Sequence, residues 1–381
     1  MERRMRQRHC NDGAGKDAMK SPSAWIGALR RARLTIVPSA LVTGGSGFFG
    51  GLCKRSLLKQ GWECVNLDLV EDTDTHPKLT SIRGDIRDVQ LLEAIFGKHR
   101  FDAVFHFAAV LAHGSPDKNF LWTSNVDGTR NVAEAAARHH VKSMAYTSSN
   151  CLWGESMGRP ITEADAPHPI ELYGRSKWEG EKVLQPFRNH LNITTIRCPT
   201  IMDAERLGLL AILFEFIADG RKVWVVGKGD NRYQFIYAGD LIAACLQSLS
   251  LTSSETFHIG SDHVKSLRDV YDYVVHKAGT GARIASLPKL PTLLGMRAAY
   301  WLGCSPLGPY HYKMIAESFE FDTSKIKRML SWQPTLKNEE MLWKAYEYFA
   351  THREELKHRE HASAHRQPAK MGIIRLLKWL S

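Results

Sequence analysis

The sequence predicts an α/β protein, a doubly wound parallel sheet with a smaller C-terminal lobe. Three observations carry this. From Ser39 onward, short β-rich apolar runs alternate with helical stretches, as a parallel sheet flanked by helices requires. A glycine-rich turn joins the first such run to the first helix. After Pro199 the alternation breaks up, and Pro and Gly become frequent across 279–309, as expected when insertions after the late strands build a second lobe. With 381 residues, 44% of them hydrophobic, the chain is long enough to bury a main core and a smaller one.

The first strand is expected over Ala40–Thr43, followed by a helix through Leu57 that stops at Gly61, a natural left-handed cap. Further strands are expected at Cys64–Leu67, Leu79–Arg83, Ala103–Phe107, Ser143–Thr147 and Ile193–Arg197. Helices are expected over about 88–99, 120–140 and 173–188. A last helix starts near Asn338, with Met341, Leu342, Ala345 and Phe349 at helical spacing, and the His/Arg-rich stretch 352–370 reads as a linker. The division is then a basic tail over 1–38, a nucleotide-binding domain over 39–198 to which segments near 233–250 return, a lobe over 199–350 and a basic tail over 351–381.

The formal charge of +11 sits in the tails. Residues 1–33 carry +6 and residues 351–381 carry +4, which leaves +1 for the body. Without aromatic interleaving or a zinc finger, such tails read as solvated arms, and no nucleic-acid binding is expected. The cysteines at 10, 53, 64, 151, 198, 245 and 304 are odd in number and scattered, with no Cys-x-x-Cys pair. They indicate neither a disulfide framework nor a metal site, and fit a cytoplasmic protein. No signal-peptide core and no apolar run of membrane-spanning length is present in the sequence. Residues 372–381, Gly-Ile-Ile-Arg-Leu-Leu-Lys-Trp-Leu-Ser, form a short basic amphipathic segment; peripheral membrane contact is one reading, docking on the protein itself or disorder the other.

Thr43-Gly-Gly-Ser-Gly-Phe-Phe-Gly50 places glycines at 44, 47 and 50 between strand and helix. This is the context of a dinucleotide-binding turn of Rossmann type. Gly44 permits the tight turn, Gly47 the approach of a pyrophosphate, and Gly50 close helix–strand packing, with Phe48 and Phe49 opening the helix whose N-terminus faces the phosphates. Asp68 closes the second strand, where its carboxylate can accept from ribose hydroxyls and repel a 2′-phosphate, favouring NAD over NADP. Arg83 and Arg87 are the residues that could reverse that preference.

These residues, taken with others further along, resemble the extended short-chain dehydrogenase/reductase family, also called the NAD-dependent epimerase/dehydratase family. The motifs run in order: the glycine turn, Gly84-Asp85-Ile86, His106-Phe-Ala-Ala109, Asn125-Val-Asp-Gly-Thr129, Ser148-Ser149, Tyr173-Gly-Arg-Ser-Lys177, Asp322-Thr-Ser-Lys325 and Leu330-Ser-Trp332-Gln-Pro334. Each is weak alone; their order and spacing are specific. The resemblance implies that Asp85 and Ile86 flank the adenine, that Ala108, Ala109 and Pro199 line the cofactor, and that Asn125 braces the active-site helix. It also implies a homodimer formed through the helices at 120–140 and 173–188.

The Tyr-x-x-x-Lys spacing has its own logic, because i and i+4 share a helix face and Lys177 can reach both the Tyr173 phenol and a cofactor ribose. The ammonium, with oxidised nicotinamide, is expected to lower the phenol pKa, so that Tyr173 takes a proton from a substrate hydroxyl while Ser149 hydrogen-bonds it. Glu181 and Lys182 read as surface residues. Family dehydratases carry an Asp-Glu pair where this chain has Asn150 and Cys151, which disfavours elimination of water. Cys151 has two readings, a bystander thiol, which is favoured, or a proton-exchanging residue as in 3,5-epimerizing relatives; the loop after Pro199 offers Asp203, Glu205 and Arg206 rather than the His or Lys those relatives use. Arg232 falls one residue early for the arginine that grips a nucleotide diphosphate, leaving either Arg232 or Tyr233 to meet the ligand.

The reaction this leaves is NAD-dependent epimerization of a nucleotide sugar by transient hydride transfer, acting on a small-molecule substrate. A dehydrogenase for a sterol-like or lipid alcohol is the alternative, supported by the Leu/Trp/Tyr-rich stretch 287–312 if it lines an apolar pocket rather than the lobe's own core. A non-catalytic NAD-sensing regulator is a third reading, against which the chain retains both Tyr173 and Lys177.

Overall fold

A computed structural model describes residues 37–111, 117–303 and 308–357. Runs such as Leu41-Val42 and Val104-Phe105 are apolar on both faces, so their strands must be covered above and below, and only a helix-flanked parallel sheet does that. The strands are β1 (Ser39–Thr43), β2 (Glu63–Asp68), β3 (Leu79–Arg83), β4 (Ala103–His106), β5 (Ser143–Ser149) and β6 (Asn192–Cys198). β7 (Thr200–Met202), β8 (Lys222–Val226) and β9 (Phe235–Tyr237) leave for the lobe, and β10 (Glu255–His258) returns. The main sheet is seven-stranded and parallel, in the order β10-β6-β5-β4-β1-β2-β3. Order reverses beside β1, so the crevice at the carboxyl ends of β1 and β4 is the topological switch point where such sheets take ligands.

Helices α1 (Phe48–Lys59) and α2 (Val89–Lys98) match expectation. Gly61, at φ 90°, ends the first of them in the left-handed region. The single helix expected over 120–140 is instead α3 (Lys118–Thr123), one π turn over Ser124–Gly128, and α4 (Thr129–Arg138). The widened turn lets the Asn125 side chain hydrogen-bond the backbone of Val110, a contact that periodicity does not encode. The helix expected over 173–188 stops as α5 (Leu172–Val183), because Pro186 cannot continue it, and a 3-10 turn at Gln185–Phe187 follows.

In the lobe, α6 (Leu210–Ala218) follows β7. After β9, α7 (Ala238–Ser248) packs back on the main core through Leu241, Ala244 and Cys245. The strand that rejoins the sheet is therefore β10 at 255–258, beyond the segment expected near 233–250. α8 (Leu267–Ala278) leads to β11 (Arg283–Leu287), which pairs in parallel with β8, while β7 pairs with β9. Then come α9 (Lys289–Trp301), α10 (Pro309–Met314), α11 (Ser324–Leu330) and α12 (Asn338–Thr351). Met341, Leu342, Ala345 and Phe349 of α12 are buried against Phe214 and Val274.

Two expectations change here. The linker begins later than 352, because α13 (Arg353–Lys357) buries Leu356 in the lobe core and Arg353 pairs with Glu215 and Asp219; the rest of 352–370, and 372–381, lie outside the described residues. The stretch 287–312 supplies little of the lobe's core: no residue of α9 is buried. Among the described residues no helix is long and apolar enough to cross a membrane.

Candidate active site

The glycine turn sits at the carboxyl end of β1, and space dictates its composition. Gly44 has φ 76°, and a Cβ there would stand 2.7 Å from the Ala108 nitrogen. A Cβ on Gly50 would stand 2.1 Å from the Gly44 carbonyl oxygen, so α1 can approach β1 only with glycine at that position. Gly47 is the N-cap of α1, and Phe48 and Phe49 are its first, buried turn, with the Phe49 ring edge-on to Phe107 at 4.7 Å.

Beneath the turn lies a network that the motif alone does not reveal. The Gly45 N–H donates to Asn66 Oδ1 (3.0 Å), and Asn66 Nδ2 donates to Asp72 Oδ2 (2.7 Å), which also holds buried Lys54. A Cβ on Gly45 would meet Asn66 at 2.4 Å. The consecutive pair Gly44-Gly45 was the available signal for this fourth required glycine.

Asp68 lies at the end of β2, its carboxylate accepting from the N–H groups of Ser46 (2.9 Å) and Val70 (3.0 Å). Arg87 is clamped on Asp85 by a 2.6 Å ion pair and donates to Thr123, and Arg83 donates to the Leu69 carbonyl. Arg87 is thus engaged by Asp85 and Thr123, while Arg83 stands opposite Asp68 in the β2–β3 register. Ile86 is buried against Gly128; Ala108 and Ala109 follow β4; buried Pro199 separates β6 from β7.

The catalytic candidates come from β5 and α5. Ser149 ends β5 opposite Cys198 and accepts a hydrogen bond from the Cys151 N–H (3.1 Å), capping a 3-10 turn at Asn150–Leu152. α5 rests on that turn so closely that a Cβ on Gly174 would stand 2.3 Å from the Cys151 carbonyl oxygen. The side chain of Asn125 donates to Ser176 Oγ (3.0 Å), which in turn donates to the Tyr173 carbonyl (2.8 Å), tying the π turn to the start of α5.

Lys177 is 3% exposed, with Nζ 4.1 Å from the centre of the Tyr146 ring. Burial brings its pKa down to about 8, with Cys198 and Glu181 opposing the fall. Its ammonium thus rests on the face of an aromatic ring. His106 stacks on the same Tyr146 ring, and it also links Thr43 Oγ1 (2.6 Å) beneath the glycine turn to Thr129 Oγ1 (2.9 Å). Burial, aided by the Lys177 charge, lowers its pKa to about 3, so it stays neutral. This chain of contacts joins the glycine turn to the Lys177 face of α5.

Burial pushes the Tyr173 phenol up, the Cys151 and Cys198 thiols add to the rise, and Arg206 opposes it. Arg206, from the loop after Pro199, thus joins Lys177 as a cation near the phenol. The Arg206 guanidinium carbon lies 5.9 Å from the centre of the Phe48 ring, in the first turn of α1. A cation in the loop after Pro199 was visible in the sequence, but its direction was not.

Glu181 is a correction. It is 4% exposed and grips Arg197 through two nitrogens (3.0 and 2.7 Å), because i+4 from Lys177 faces the sheet, whereas Lys182 pairs with Glu179 at the surface. Arg232 is exposed. Tyr233 turns inward, its hydroxyl 2.9 Å from Thr200 Oγ1 and accepting from Asn150 Nδ2 (3.1 Å), beside the Ser149 turn. Cys151 is half-buried and packs with Met314, Phe319 and Tyr233. Near the end, Trp332 is buried and donates to the Asp240 carbonyl (2.9 Å), anchoring the last motif to α7.

Over residues 40–260 the chain matches the NAD dependent epimerase/dehydratase family. It is 34% identical over 347 residues to "Uncharacterized protein y4nG" of Sinorhizobium fredii, covering 90% of this chain and 86% of that one. It is 26% identical over 342 residues to a UDP-glucose 4-epimerase of Lactobacillus helveticus, covering 82% and 97%. Among solved structures, the Bordetella bronchiseptica enzyme WbmG in complex with NAD and UDP superposes with a TM-score of 0.68 at 21% identity, covering 82% of this chain and 95% of that one. This protein belongs to the NAD-dependent epimerase/dehydratase family of extended short-chain dehydrogenases, and NAD is the cofactor of that family.

Proposed function

We propose that the protein epimerizes a nucleotide sugar, reversibly oxidising one carbinol carbon and reducing it from the other face. The observation that carries this reading is the buried Lys177 ammonium on the Tyr173 face of α5, joined by contacts to both the Ser149 turn and the glycine cradle. Bound NAD supplies a reversible hydride acceptor. Gly44, Gly47 and the first turn of α1 would hold its pyrophosphate, Asp68 its adenosine ribose, and Asp85 with Ile86 its adenine edge. Lys177 would donate to the second ribose and keep Tyr173 oriented. With the Lys177 ammonium and the charge of oxidised nicotinamide offsetting the burial that raises its pKa in the protein alone, Tyr173 would accept the proton of the substrate hydroxyl and later return it, and Ser149 would donate to the same oxygen in its carbonyl form.

Such a reaction needs no acid or base besides Tyr173, and Asn150 and Cys151 supply no carboxylate for eliminating water. Similarity, at 26% identity, to a UDP-glucose 4-epimerase supports the 4-position. Tyr233, at the inner wall, is assigned to the nucleotide-bearing side of the substrate in place of Arg232. Pairing of two copies through α3, α4 and α5 belongs to the same proposal.

The test is incubation of the purified protein with NAD and a panel of UDP-, GDP- and dTDP-sugars, following epimers by NMR and NADH by absorbance. Epimer formation without net NADH supports the reading. Net NADH with an alcohol substrate, or cofactor binding without turnover, overturns it.

A further inference from the structure

The proposed reaction leaves α9 without a role. No residue of this 13-residue helix is buried, yet its composition is largely apolar. Leu290, Leu294 and Trp301 are 75%, 66% and 80% exposed, and Leu302, just past the end, is 76% exposed. Leu290, Leu294 and Trp301 recur at i, i+4 and i+11, one stripe of the helix, with Arg297 at i+7 on the same stripe. Tyr300 adjoins it, also exposed. A soluble surface gains nothing by holding this many large apolar groups in water along one helix.

Charge selects the occupant. From Tyr273 to Ala316 the sequence contains no Asp or Glu, while Lys277, Arg283, Lys289 and Arg297 are spread through it and Lys313 pairs with Glu155. A second copy of this face would bring like charges together, and so would the protein's own tail, whose 372–381 segment carries Arg375 and Lys378. An anionic bilayer meets both requirements, taking Leu and Trp below its headgroups while Arg297 extends its stem along the apolar stripe and its guanidinium toward phosphate.

We infer that α9 is a membrane-docking helix that seats the C-terminal lobe on an anionic lipid surface. It borders the catalytic end of the molecule: a Cβ on Gly308 would stand 3.8 Å from Tyr300 and 3.5 Å from Glu171, the N-cap residue of the helix that carries Tyr173. Docking through α9 does not depend on which substrate the site takes.

Sedimentation of the full chain with vesicles of 3:1 phosphatidylcholine and phosphatidylglycerol, with pure phosphatidylcholine vesicles and without lipid tests this. The wild-type chain is expected to pellet with the anionic vesicles, less so as salt rises. Leu294→Glu with Trp301→Glu in the full chain is expected to lower partitioning about tenfold or more. Ile374→Glu with Trp379→Glu in the tail is expected to change it little. Both α9 side chains are exposed, so an unchanged melting temperature accompanies the loss; Leu290→Glu with Leu302→Glu provides an independent pair. Failure of the wild type to pellet, undiminished pelleting of both α9 pairs, or loss of pelleting in the tail pair overturns the inference. So does an α9 variant that changes oligomeric state on gel filtration while its vesicle binding is unaltered.

Discussion

Tyr173 and Lys177 occupy one helix face, yet the structure gives them different surroundings. The phenol is buried, with Cys151 and Cys198 raising its pKa and Arg206 opposing them, and the ammonium lies over Tyr146 with His106 stacked on the same ring. Replacing Tyr173 by Phe removes the proposed proton acceptor and keeps the ring, so kcat is expected to fall roughly 100- to 10,000-fold while the NAD-induced rise in melting temperature persists. Stopped assays of epimer formation together with thermal shift check this; a variant that keeps wild-type turnover would reassign the base. Cys151→Ala is expected to retain turnover within about threefold, because the thiol is read as a packing neighbour of Met314 and Phe319. Loss of proton exchange at a carbon beside a keto group, measured by solvent deuterium incorporation, would make it a participant. The Tyr-x-x-x-Lys spacing, the serine at a strand end and the motif order made these positions legible in the sequence. Arg206, Tyr233 and the buried side of Glu181 were not, since their placement depends on which way a loop or an edge strand turns.

At the scale of elements, the cradle is tuned by backbone clearance. Gly50→Ala would drive a Cβ into the Gly44 carbonyl oxygen, which belongs to backbone and cannot swing away. The expected result is loss of the NAD-dependent thermal shift with partial loss of stability, read by differential scanning fluorimetry with and without NAD. Asn125 satisfies both backbone groups of Val110 and the Ser176 hydroxyl in a buried position. Asn125→Ala leaves these unpaired and is expected to cost about 1–3 kcal/mol in urea unfolding, with a disproportionate fall in kcat as α5 loses its brace. The first six strands were legible, most of them because a strand buried on both faces must be a continuous apolar run, whereas β7 to β11, short and set among the lobe's insertions, were not. The π turn at 124–128 and the 3-10 turn after Val183 were not, for each follows from a local contact or a proline inside an otherwise periodic stretch.

For the whole molecule, two buried histidines set the acid limit. Burial lowers both His106 and His258 to about 3; the Ile161 carbonyl opposes the fall for His258 and Arg197 assists it, while Lys177 assists it for His106. A histidine whose folded pKa lies below its unfolded value contributes full stability above pH 6.5, and that contribution is lost as pH falls through the interval down to the folded value. Between pH 7 and pH 5 each is expected to cost about 2 kcal/mol. Urea midpoints at the two pH values check this, and His258→Gln should remove about half of the pH dependence.

The sequence by itself determined the class: a glycine turn, a carboxylate closing the second strand and an ordered set of short motifs identify the sheet, the cofactor and the family, because each is a local requirement of backbone geometry or charge. Only the tertiary structure decided that α9 lies bare on the surface, that Glu181 is buried against Arg197 and that Tyr233 turns inward beside the Ser149 turn while Arg232 is exposed. Those outcomes depend on which face of an element meets a partner distant in the chain, and neither periodicity nor spacing records where that partner lies.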